Sequence, residues 1–284
     1  MRSNDWHDPA WVAAAHDWIA AHLDAPATGP VEEVRVRPWS VSLRVMTAAG
    51  ARWFKANITG CRYEAALAAA LAEWVPGRTL APLAVQEELG WLLTADAGPT
   101  MRDRGDSDWV GLLQAYASLQ RDVAGRADRM IELGVPDLRL PEVPLIAWQY
   151  GADVHEWCDE LAADGIPATV QHDDLHDNNV FAGFRFFDWG DASVGHPFGS
   201  LLVALGVAGP DRAERLRDAY LEVWSDLGSM RELRRSASLA FRLARIGRAV
   251  AWRRAVEGAA LPVEEDFRTA SDWWIEQLPQ PTLI

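Results

Sequence analysis

The chain predicts an α+β protein of two lobes, an N-terminal lobe over residues 1–96 built on an antiparallel sheet and a mostly helical C-terminal lobe over residues 97–284. Three observations carry this expectation. Short runs rich in β-branched and aromatic residues recur between residues 31 and 94, punctuated by proline and glycine. From residue 106 onward most apolar residues return at helical spacing instead. Between the helical stretches lies a cluster of His, Asp and Asn at 172–179, answered after a short apolar hairpin by Asp188-Trp189-Gly190-Asp191.

Taken in order, Asp8-Pro9 opens a helix with the acid at the N-cap and proline in the first turn, and Trp11, Ala14, Ala15, Trp18, Ile19 and Leu23 follow at helical spacing up to a break at Pro26–Pro30. Runs at 31–37, 41–47 and 51–56 predict a three-stranded meander. A helix over 62–75 carries Leu67, Ala68, Leu71 and Val75 on one stripe, and Glu64 falls on the same stripe. A carboxylate on an inward face needs a partner, and Lys55 in the third strand is the obvious cation. Alternatively, Glu64 merely favours the positive end of the helix dipole. Runs at 79–86 and 90–94 complete a five-stranded sheet, and Ala95-Asp96-Ala97-Gly98-Pro99 reads as a hinge. Helices are expected over 106–122, 153–163, 229–256 and 264–278.

Composition sets limits on function. With 284 residues, 49% hydrophobic and 24% charged, the chain can bury a sizeable core. No apolar run is long enough to cross a bilayer and Met1–Trp6 does not read as a signal peptide, so a cytoplasmic protein is expected. Cys61 and Cys158, with no C-x-x-C pair, argue against a disulfide framework or a structural zinc. A net charge of −14 disfavours nucleic acid or an anionic membrane as partner. It permits a cationic substrate, although a solvated acidic surface accounts for the same balance.

The chemistry concentrates in His172-Asp173-Asp174-Leu175-His176-Asp177-Asn178-Asn179 and Asp188. A hairpin through Ala182-Gly183 folds its own ends together, so Asn179 and Asp188 become neighbouring oxygen ligands for a hard cation such as Mg²⁺, with Asp174 one loop turn away. The spacing H-x-D-x-x-x-x-N followed by D-x-G resembles the catalytic and metal loops of the protein-kinase-like fold. In its particular wording it is similar to the aminoglycoside phosphotransferase family of small-molecule kinases. That resemblance implies ATP as donor and Mg²⁺ as cofactor. Asp174 would take the proton of the acceptor hydroxyl, Asn179 and Asp188 would hold Mg²⁺, Lys55 braced by Glu64 would meet the α- and β-phosphates, and the backbone near Leu92–Ala97 would bind adenine. Trp189 would fill the space that phenylalanine fills in protein kinases.

Two departures from that family stand out. Pro38-Trp39-Ser40-Val41-Ser42 has no glycine where a phosphate-covering loop is expected, which leaves the Ser40 and Ser42 hydroxyls as substitutes. Ser200 stands near the place of an aspartate that would brace the catalytic loop, and a hydroxyl is a weaker acceptor. The resemblance implies a small-molecule hydroxyl acceptor such as an amino sugar, aminoglycoside, simple sugar or amino alcohol. Asp226, Glu264, Glu265 and Asp266 are candidates to meet an amine or equally to face water, and the absence of histidine-rich or basic clusters in the helical part weighs against an already phosphorylated acceptor. No Ala-Pro-Glu segment points to protein substrates. Two other readings stay open: a nucleotide-binding module without turnover, and a metal-dependent hydrolase using His172, His176 and one aspartate.

Overall fold

The computed structural model describes residues 6–106, 108–257, 259 and 262–284. Residues 1–5, on which the signal-peptide expectation rests, lie outside the described residues. Helix α1 (Pro9–His22) begins where Asp8 accepts hydrogen bonds from the backbone N–H groups of Ala10 at 2.7 Å and Trp11 at 3.2 Å, filling the first-turn donors that a helix leaves unsatisfied. Strands β1 (Ala27–Val36), β2 (Ser40–Thr47), β3 (Gly50–Asn57), β4 (Pro82–Gln86) and β5 (Trp91–Ala95) form one antiparallel sheet in the order β1-β2-β3-β5-β4, with α2 (Tyr63–Trp74) between β3 and β4.

Helix α1 ends before the expected break at Pro26–Pro30, but Ala27 to Pro30 of that break already belong to β1. That strand lies at the sheet edge, where Pro30 forfeits no ladder hydrogen bond, and its register shifts between Ala27 and Val31.

Two apolar cores result. The smaller joins α1 to one face of the sheet through Ile19, Leu43, Phe54 and Leu93, with Trp11, Trp18 and Trp91 meeting edge to face. The larger runs through the helical part and takes in Tyr63, Leu67 and Leu71 of α2, so the packing does not divide at residue 96.

The helical part comprises α3 (Trp109–Val123), α4 (Ala127–Glu132), β6 (Asp137–Leu138), α5 (Val143–Trp148), α6 (His155–Ala162), β7 (Thr169–Gln171), β8 (Val180–Phe181), β9 (Arg185–Phe186), β10 (Ser193–Gly195), α7 (Leu201–Ala208), α8 (Pro210–Glu222), α9 (Met230–Val256) and α10 (Glu265–Glu276). Asp108 caps α3 by accepting from Gly111 N–H at 2.9 Å, later than the expected start at 106; Ser107 lies outside the described residues. A capping box between Ser229 and Glu232 starts α9.

Strands β6, β10 and β7 form a small sheet that sequence reading did not anticipate, because two- or three-residue strands show no periodicity. It matters for function. Ser193 pairs with Gln171, so residues 172–192 form a loop clamped at both ends. No described helix is long and apolar enough to cross a membrane.

Candidate active site

Strand alternation aims Lys55. In Trp53-Phe54-Lys55-Ala56, Phe54 and Ala56 pack into the α1 core, so Trp53 and Lys55 face the opposite side, toward α2. The ammonium lies 2.6 Å from Glu64 in the first turn of α2 and 2.5 Å from Asp188, which is 133 positions away in sequence. Glu64 is 2% exposed and also accepts from the Asn57 amide at 2.7 Å. Burial opposes the charge on Lys55, but Asp188 and Glu64 outweigh it and raise its pKa. Burial pushes Glu64 up and Lys55 only partly offsets that, whereas for Asp188 the effect of Lys55 exceeds that of burial and the pKa falls. Lys55 is also the only lysine in the sequence.

The hairpin forms by β8 and β9, with Gly183 and Phe184 turning at positive φ. Phe187 N–H donates to Asn179 C=O at 3.2 Å, so Asn179 and Asp188 meet at the open end. The Asn179 amide nitrogen donates to the Asp174 carbonyl at 3.0 Å and carboxylate at 3.2 Å. That orientation leaves the Asn179 side-chain oxygen, and one Asp188 carboxylate oxygen is likewise left by Lys55. These two oxygens are the donors that would hold a hard cation such as Mg²⁺.

Among the described residues no group of three His, Cys, Asp or Glu is disposed to hold a metal, which is what the hydrolase reading requires. Its histidines serve the loop instead. His172 is fully buried against Trp189 and bonds the Phe187 carbonyl at 2.8 Å; burial lowers its pKa and keeps it neutral. His176 accepts from Asn178 N–H at 3.1 Å and lies 3.4 Å from Asp174. Burial pushes the Asp174 carboxyl up, but the bond from His176 and the charge of Arg248 outweigh it and hold Asp174 far below the usual carboxylate range.

Arg248 is a residue the sequence reading missed. It is 6% exposed, donates to the Asp173 carbonyl at 2.7 Å and to Asp191 at 2.8 Å, and stacks near Trp252. Its signal was present: Ala240, Phe241, Ala244 and Arg248 fall on one buried stripe of α9, where an arginine requires acids. Gln120 was missed in the same way. Its amide nitrogen donates to Val170 C=O at 2.7 Å, Pro197 C=O at 3.2 Å and Ser200 Oγ at 3.2 Å, while Tyr220 donates to its oxygen at 2.5 Å. Bracing of the loop thus runs through Gln120 and Arg248, with Ser200 a minor partner.

The β1–β2 connection is a two-residue turn, Pro38-Trp39, closed by Arg37 N–H to Ser40 C=O at 2.8 Å. Trp39 meets Trp252 and Phe267 edge to face at 5.6 and 5.1 Å, seating the turn on α9 and α10. The register sets Arg35, Ser42, Lys55 and Leu92 side by side on four strands. Ser42 borders a cleft of about 390 Å³ that extends from Lys55 and Asp188 to Ala95–Gly98 and is floored by the stacked rings of Phe181 and Phe187. Ser40, 3% exposed, borders a second cavity of about 190 Å³ with Asp174 and Asp191. Lys55 and Asp188 border both.

The backbone resembles a macrolide 2'-phosphotransferase from Brachybacterium faecium, at 16% identity and TM-score 0.54 over 90% of this chain and 100% of that one. It also resembles a choline/ethanolamine kinase family protein from Mesorhizobium loti (18%, 0.58, 94% and 93%) and an ethanolamine kinase from Plasmodium vivax (10%, 0.62, 98% and 90%). No curated protein sequence matches the chain. The profile of the phosphotransferase enzyme family matches residues 31–234, more than two thirds of the sequence. Its span runs from β1 through both acidic loops into α9, and the chain therefore belongs to the phosphotransferase enzyme family, that of the aminoglycoside phosphotransferases, and is a small-molecule kinase of protein-kinase-like fold.

Proposed function

We propose that the chain transfers the γ-phosphoryl group of ATP to a hydroxyl of a small molecule. One observation carries the reading: the Lys55–Asp188 contact stands where two cavities meet, and Asp174 opens only into the second. ATP fits the larger cleft, with adenine between Leu92 and the Phe181–Phe187 stack and its phosphates directed at Lys55, Ser42 and Arg35. The acceptor occupies the second cavity, its hydroxyl at Asp174. An ionised Asp174 accepts the hydroxyl proton and orients the oxygen for attack. Bound at Asn179 and Asp188, Mg²⁺ supplies charge neutralisation for the transferring group. Lys55 is held straight by Glu64, so its charge is positioned before the donor arrives.

The test is ³¹P NMR of the protein with Mg·ATP and a panel of sugars, amino alcohols and hydroxy acids. A phosphomonoester signal appearing with ADP is expected. Magnesium-dependent ATP binding with no ester from any acceptor would leave a binding module and overturn the transfer.

A further inference from the structure

The second cavity holds positive charge that the donor does not use. Arg35 near the end of β1 and Arg37, which closes the turn just past it, stand two positions apart and border the same cavity, while Val36 between them packs toward the α1 core. Among the described residues neither forms an ion pair with a carboxylate. Arg35 borders both cavities, so the donor phosphates account for it; Arg37 borders the second and not the first. In the same cavity, buried Arg248 commits one terminal guanidinium nitrogen to the Asp173 carbonyl and Asp191. Its second terminal nitrogen stands 3.8 Å from Asp174, beyond hydrogen-bond reach, with donors to give.

The acids there are all engaged. Asp174 takes the hydroxyl proton, Asp188 serves Lys55 and the metal, and Asp191 is neutralised by Arg248. The acidic residues that the sequence offered to an amine do not border the cavity: Asp226 pairs with Arg121 at 2.5 Å, Glu265 pairs with Arg268, Asp266 lines neither cavity, and Glu264 lies in a neighbouring pocket that Arg37 also borders. At about 190 Å³ the space is also smaller than the roughly 300 Å³ at which drug-sized pockets begin.

Resting on the phosphotransfer reading, we propose that the acceptor is a small hydroxy acid, its carboxylate held between Arg37 and Arg248 and its carbon chain against Trp39 and Trp252. Guanidinium groups match a carboxylate by paired, charge-assisted hydrogen bonds. In the transfer, the acceptor hydroxyl oxygen bonds to the γ-phosphorus, the bridging oxygen–γ-phosphorus bond breaks, ADP leaves with that electron pair, and the hydroxyl proton passes to Asp174.

Gluconate, sorbitol and glucamine test this, because they share a six-carbon polyol chain and differ at C1 as anion, neutral alcohol and cation. With Mg·ATP, gluconate is expected to be used with kcat/KM at least about tenfold above the other two. Arg37→Ala is expected to raise its KM by about tenfold while the KM for ATP stays put. Preference for sorbitol or glucamine, or a gluconate KM indifferent to Arg37→Ala, overturns the proposal. If none of the three is phosphorylated, their binding to the Mg·ADP complex, read by tryptophan fluorescence, decides. Gluconate binding that is tightest of the three and weakened in Arg37→Ala upholds the anion site while counting against transfer. Binding that is equal for all three, or absent, sinks the hydroxy-acid assignment.

Discussion

The two cavities that meet at Lys55 and Asp188 are made in different ways. The larger is assembled by regular structure: a cross-strand row on the sheet above, a hairpin with stacked phenylalanines below, and a short connection at 95–98. The smaller is assembled by side chains from far-apart places, with Arg37 and Trp39 from one turn, Asp174 and Asp191 from the clamped loop, and Arg248 and Trp252 from one face of α9. Backbone register fixes the first, whereas long side chains holding one another by charge and stacking fix the second. A donor shared by many enzymes suits the former construction, and an acceptor peculiar to one enzyme suits the latter.

The largest expected effect separates the two directly. Asp174→Asn should lower turnover by about 10²- to 10⁴-fold, the range for loss of a general base, while ATP affinity measured by calorimetry stays within about twofold. A matching loss of ATP affinity would mean that the cavities are not independent.

A second variant probes the floor of the loop. Asp173 is 4% exposed, and burial pushes its pKa up to about 6, with the hydrogen bond from Ser193 at 2.5 Å and the charge of Arg248 only partly offsetting. The native state therefore keeps a proton that the unfolded chain releases near pH 4. This contribution to stability is full below pH 4 and is lost as pH rises through about 6, at most about 3 kcal/mol. In Asp173→Asn that slope should vanish, so urea midpoints of the two proteins should diverge between pH 4 and 6; parallel curves would remove the buried proton. The smallest effect concerns mainly the donor side. Arg35→Ala should raise the KM for ATP about tenfold, more than it raises that for the acceptor, whose cavity Arg35 also borders.

The same contrast explains what could be seen in the sequence. Asp174, Asn179 and Asp188 lie within fifteen residues joined by a hairpin, so local rules bring them together, and Glu64 showed itself as a charge on an apolar stripe. The five strands of the main sheet were legible from β-branched runs, apart from the start of β1, where an edge position tolerates Pro30, and the start of β4, which begins at Pro82 and not at residue 79. The second cavity was not legible. The absence of a basic cluster held only along the chain, because the arginines that line this cavity come from positions 35, 37 and 248, more than two hundred residues apart. Bracing was sought in Ser200 by position in the chain, while the space around it brought Gln120 and Arg248 to the loop.

One feature of the donor side lends itself to spectroscopy. Because every other basic side chain except histidine is arginine, incorporation of ¹³Cε-lysine during expression would mark a single side chain, that of Lys55. Its resonance would report from inside the cleft on the charge of that amine and on the arrival of phosphates, without any engineered label.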